Sequence, residues 1–150
     1  MPKSKKPRKR RAHSWQPDHP FAPTQDQWRE AAIASHVALD ALLAGQGQDS
    51  HWQRLGMRVN TGSMLAKIQS SDDGGEAINN GIDALASVKQ RHDKTGRYGC
   101  SGAEAQAIKA ALDCADQLFD GSTWFQIRKA IRAVYMAHGR KSAREGLVFH

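Results

Sequence analysis

A chain of 150 residues, 39% hydrophobic and with two cysteines, is sized for one folded domain and is no disulfide scaffold. Its net charge of +7 sits in residues 1–11, where Lys3, Lys5, Lys6, Arg8, Lys9, Arg10 and Arg11 meet no acid; the other 15 basic and 15 acidic residues cancel. No apolar run approaches the roughly 18 residues of a membrane span, and no apolar segment follows the basic start as in a secretory signal, so the sequence implies a soluble intracellular protein with reduced Cys100 and Cys114.

All five prolines lie in residues 1–23, beside the seven cations. Proline removes a backbone donor, and like charges repel, so this stretch is expected to be a disordered tail, with Trp15 and Phe21 as possible anchors. From Thr24 the sequence repeats one grammar. A hydroxyl or acidic residue is followed three places later by Glu or Gln, as a helix-capping pair requires. The pairs are Thr24 with Gln27, Ser50 with Gln53, Asp73 with Glu76, Ser101 with Glu104 and Thr123 with Gln126.

Apolar spacing behind each pair predicts five helices. The first covers about Gln25 to Ala44, with Trp28, Ala32, His36, Leu39 and Leu43 on its stripe and Leu42 beside it. The second covers about His51 to Gln69, carrying Trp52, Leu55, Val59, Met64, Leu65 and Ile68. Its Gly56 and Gly62 either weaken it or admit a close neighbour. A polar loop at 70–75 leads to the third, about Glu76 to Thr95, with Ile78, Ile82, Leu85, Val88 and His92. Gly96 is placed to end it. The short segment 97–100 is the one candidate for extended chain. The fourth covers about Gly102 to Phe119, with Ala105, Ile108, Leu112, Ala115 and Phe119 in register. The fifth covers about Thr123 to His138, with Trp124, Ile127, Ile131 and Val134, and Gly139 is its expected stop. No stretch alternates with period two. The expected architecture is all-α: a tail at 1–23, a compact bundle of about five mostly antiparallel helices at 24–139, and an extension at 140–150.

The residues offer no catalytic constellation. Phosphate-loop, dinucleotide, zinc-protease and nucleophile-elbow motifs are all missing, which argues for a non-enzymatic protein without a cofactor. Asp72 and Asp73 lack the further oxygens a metal needs. His36, His92 and His138 fall near the apolar faces of three helices and would have to converge to bind metal; interior packing is the plainer reading, and no metal ligand is assigned.

Binding chemistry is better represented. The tail cations suit nucleic acid, which such charges bind through counterion release without sequence preference. Arg128, Lys129 and Arg132 share a flank of the fifth helix opposite its apolar stripe. The tight turn before that helix is compatible with a helix-turn-helix and equally with an ordinary bundle corner. Arg97-Tyr98 can stack on a base or hold a phosphate, and can equally pin a loop.

Several runs carry a family resemblance. They are Ser35-His36-Val37-Ala38-Leu39 with Leu42 and Gly45, Trp52 with Leu55, Gly81 with Ala84-Leu85, Arg91 with Thr95-Gly96-Arg97-Tyr98, and Gly102 with Glu104 and Ala107-Ile108. Together with the Lys/Arg/Pro-rich start, they resemble a group of small proteins encoded in proteobacterial prophages and mobile elements. The likeness covers roughly residues 1–131 and departs at Ser35, where the group carries Asn. The resemblance implies a mobile-element origin and action in a bacterial cytoplasm, and it brings no catalytic residue. The expected activity is binding of a macromolecule. The partner is nucleic acid, met by the tail and the last helix, or alternatively a host nuclease or defence complex that the protein inhibits.

Overall fold

The computed structural model describes residues 23–71 and 74–145, with side chains as far as His138. Five helices make up the fold: α1 (Gln25–Leu43), α2 (Asp49–Ile68), α3 (Gly75–Thr95), α4 (Gly102–Asp120) and α5 (Trp124–Glu145). No strand occurs among the described residues; a lone antiparallel bridge joins Gly47 to Tyr98 in the segment expected to be extended. No described helix is long and apolar enough to cross a membrane.

Three of the five capping pairs form as the spacing predicts. Thr24 accepts from Gln27 N at 3.2 Å, Ser101 from Glu104 N at 3.2 Å and Thr123 from Gln126 N at 3.2 Å, and each third residue's side chain accepts in return. Each pair meets two of the backbone donors that a helix start leaves unsatisfied. The Ser50 pair is replaced: α2 begins two residues earlier than expected, and His51 Nδ1 accepts from Gln48 N at 3.0 Å. Asp73 lies outside the described residues, and Gly74, at φ +76°, starts α3. Gly96 ends α3 in the left-handed conformation, its N–H donating to His92 O at 2.7 Å.

Helix α2 is the hub, packed against α1, α3, α4 and α5, while α3 and α4 pair closely along their length. Asp49 and Tyr98 meet where α2 and α4 begin, and Gln69 bonds Leu118 O and Ser122 Oγ where they end. These two helices therefore run parallel, while α3 and α5 run against α2, so that most packed neighbours are antiparallel as expected. The α2–α4 and α3–α4 seams depend on small residues. Ala107, Ala111 and Ala115 recur every fourth residue along one ridge of α4. Against it lie Gly62 and Gly81, where an added Cβ would come within 2.8 Å of Ala115 Cβ and 2.3 Å of Ala111 Cβ. Gly56 meets nothing within 4 Å.

The buried stripe of α4 is the expected one. In α1 the seam is displaced to Ser35, Ala38, Leu39 and Leu42, leaving Leu43 51% exposed and turning His36 toward α4. At one end of the bundle Trp28 packs edge-on against Phe119 and Trp124, at centroid distances of 5.4 and 6.0 Å. Finally, α5 does not stop at Gly139. It continues to Glu145, so the extension placed at 140–150 is helical through its first six residues.

These contacts give opposite outcomes for two glycines in helix interiors. Gly81→Ala should destabilise by about 1–3 kcal/mol through overpacking against Ala111. Gly56→Ala should stabilise by up to about 1 kcal/mol, because it gains helix propensity and meets nothing. Urea unfolding of the two variants beside the parent measures both.

Candidate functional site

The binding residues expected from the sequence separate into three groups. Lys3, Lys5, Lys6, Arg8, Lys9, Arg10 and Arg11 lie outside the described residues. Arg97 and Tyr98 lie at the α3–α4 turn, at the opposite end of α4 from the start of α5. Arg128, Lys129 and Arg132 are exposed on α5.

Tyr98 is not available to a ligand. It is 5% exposed, stacks on His92 at 3.8 Å and lies parallel to Trp52 at 6.4 Å. Its hydroxyl donates to the Asp49 carboxylate. Burial, and then that bond, raise its pKa above the ordinary phenol value. The pinning role therefore holds, and Tyr98 leaves the list of binding candidates. Arg97 stays exposed. The same loop is tied by Arg91, which donates to Gly99 O at 2.8 Å and to both Glu104 oxygens at 2.9 and 3.0 Å.

On α5 the arrangement is richer than three cations. Ile127, Ala130 and Val134 are buried. Opposite them, Arg128, Lys129 and Arg132 alternate with the exposed Phe125, Tyr135 and Met136. At 100° per residue these six fall within a sector of about 120°. Phe125 is 75% exposed, the most open large apolar residue among those described. The periodicity of the core stripe announced this face, but only its cations were singled out in the sequence.

A second constellation was not anticipated. Arg58 projects from the apolar face of α2 and is 8% exposed. Its Nε and Nη2 donate to Asp116 Oδ1 at 3.1 and 2.8 Å, and its guanidinium lies 3.7 Å above the Phe119 ring. The other Asp116 oxygen, Oδ2, accepts from His36 Nε2 at 2.8 Å. Asp113, one turn earlier on α4, places Oδ1 3.9 Å from the same nitrogen and Oδ2 3.6 Å from Lys109 Nζ. Among the described residues, His36, Asp113 and Asp116 form the one group of three ligand-type side chains close enough to share a metal ion. His92, stacked on Tyr98, takes no part. The signal was present in the sequence: Arg58 sits in the stripe of Leu55 and Val59, and Asp116 in that of Leu112 and Phe119. Opposite charges on two apolar stripes call for each other.

The chain matches no protein-family model, no curated protein and no solved structure.

Two predictions follow from this geometry. Asp116→Ala strands a buried guanidinium and should cost about 3–5 kcal/mol. Arg58→Met keeps the packing over Phe119 and leaves Asp116 its bond to His36, so its cost should be clearly smaller in the same denaturant titration. Separately, the bonds from Arg91, aided by the Ser101 cap, hold the Glu104 carboxyl below the usual range. Their contribution is full above the ordinary glutamate pKa of about 4.3 and is lost as pH falls through the lowered value. Glu104→Gln should therefore unfold with a flatter acid dependence than the parent in melts run from pH 2 to 6.

Proposed function

We propose that the protein binds nucleic acid through the outer face of α5, with the N-terminal cations adding affinity that does not depend on sequence. The observation that carries this reading is the interleaving of Arg128, Lys129 and Arg132 with exposed Phe125, Tyr135 and Met136 on one side of one helix. Cations alone are adequately explained by solvation. Exposed Phe125 and Met136 among them keep apolar surface in water, which a covering partner would remove. A nucleic acid supplies both complements, since phosphates meet the cations and base faces stack on the rings. Base faces are open in single strands, so single-stranded RNA or DNA is the favoured form. Lys/Arg-rich residues 1–11 reinforce the same charge selectivity. Together with the resemblance to prophage and mobile-element proteins, this makes an accessory nucleic-acid-binding protein of such an element the best-supported role.

Fluorescence anisotropy with labelled single-stranded and duplex oligonucleotides across a salt series tests it. The parent should bind single strands more tightly, with affinity falling steeply as salt rises. Replacing Arg128, Lys129 and Arg132 with alanine should flatten the salt slope by roughly 0.7 per lost phosphate contact on single strands. Phe125→Ala should instead weaken binding at every salt, by about 1–3 kcal/mol if a base stacks there, and leave the slope unchanged. Absence of binding at low salt by the full chain would refute the proposal.

A further inference from the structure

We propose that His36, Asp113 and Asp116 form a site for a divalent transition-metal ion of the Zn²⁺ type, clamping α1 to α4. The inference is independent of nucleic-acid binding. It begins with donor geometry. His36 Nε2, Asp113 Oδ1 and Asp116 Oδ2 lie within 4.8 Å of one another, and the imidazole nitrogen is 2.8 and 3.9 Å from the two oxygens. Ligands each about 2.1 Å from one metal stand about 3.0–3.5 Å apart, so side-chain adjustments of less than about 1 Å bring the three into place.

The surroundings organise these donors as a metal site requires. Each carboxylate engages a cation through one oxygen and turns the other toward His36. Asp116 gives Oδ1 to Arg58, and Asp113 gives Oδ2 to Lys109. The Arg58 anchor is buried and bound through two nitrogens, so Asp116 is held before any ion arrives. Outer partners of this kind fix first ligands in orientation and are a regular part of metal sites. The backbone contributes as well. Asp113 and Asp116 are three apart on α4 and share its face, while His36 comes from the antiparallel α1. His36 and Asp113 keep 33% and 52% of their side-chain surface exposed, so water reaches the cluster to complete a coordination shell.

The donor set decides the class of ion. One imidazole and two carboxylates suit Zn²⁺ and its first-row neighbours. Ca²⁺ wants six to eight oxygens, and Mg²⁺ keeps mostly water and phosphate oxygens. Without metal, Nε2–H donates to Asp116 Oδ2; on binding, that proton is released to water, the ring carries its proton on Nδ1, and the freed Nε2 lone pair goes to the metal. Arg58 and Lys109 offset the two carboxylate charges, which makes this a moderate-affinity site, open to exchange with the medium.

The test uses the full chain stripped with EDTA and titrated with Zn²⁺ in a calorimeter and with Co²⁺ by visible absorption. The expected result is one ion per chain at this site, a Co²⁺ ligand-field band and a raised Tm with Zn²⁺. Asp113 is half exposed and its removal leaves the Arg58–Asp116 pair intact. Asp113→Asn should therefore fold as the parent does and weaken Zn²⁺ by at least about tenfold. His36→Gln should do the same. Because Asp113→Asn keeps all seven histidines, it separates this site from adventitious binding by His13, His19 or His150. Equal Zn²⁺ affinity in parent and Asp113→Asn, or no Zn²⁺ binding by the parent, overturns the proposal.

Discussion

The bundle is organised around a buried arginine. Arg58 brings a permanent charge into the interior of α2, the helix that every other helix touches, and that charge must be answered. Only one acid among the described residues answers it, Asp116 on α4, and the planar guanidinium donates to it in one orientation while it covers Phe119. A buried pair of this kind adds little net stability compared with an apolar pair, but a wrong alignment leaves a charge stranded at several kcal/mol. The pair thus selects the register of α2 on α4. Because Asp116 also accepts from His36, it sets the position of α1 as well.

Small residues do the complementary work by distance. The alanine ridge of α4 and the glycines facing it let α2 and α3 come close enough for backbone to meet side chain. Close packing of this sort is directional in size but not in charge. It fixes how near the helices lie, and the Arg58–Asp116 pair fixes which residues face each other. Tyr98 then closes the far end. Its ring fills the space between His92 and Trp52, and its hydroxyl ties the α3–α4 turn to the first residue of α2.

The parts of the fold legible in the sequence are those governed by chemistry within four residues. The Thr24, Ser101 and Thr123 caps, the Gly96 stop and the α4 stripe are all local patterns, and they stand where spacing put them. The misses have a common cause, namely an interaction with a distant segment. His36 reads as a member of an apolar stripe until Asp116, 80 residues on, draws it to α4 and the α1 seam shifts to Ser35 and Leu42. Tyr98 reads equally as a base-stacking residue and as a pin for its loop until Asp49 and His92 hold it in the interior. Gly139 reads as a stop, yet a glycine does not by itself end a helix; Gly96 does so by turning left-handed, whereas within a helix a glycine costs about 1 kcal/mol and is tolerated. Of the candidate sites, the α5 cations were legible because they oppose a periodic stripe. Of the His36 cluster, only Arg58 and Asp116 left a signal, as opposite charges on two apolar stripes; no spacing within one helix links His36 on α1 to α4.

The placement of α5 has a consequence for local stability. Helices α2, α3 and α4 hold one another on several sides, whereas α5 rests chiefly on α2, with Trp124 reaching Trp28 at its start. Cooperative opening of a protein follows such differences in enclosure. Helix α5 is therefore the unit that can lift from the body while the other four stay closed, its amides exchanging with solvent before those of Leu55, Ile108 and Leu112. The helix carrying the exposed basic face is thus also the one that packs on the fewest neighbouring helices.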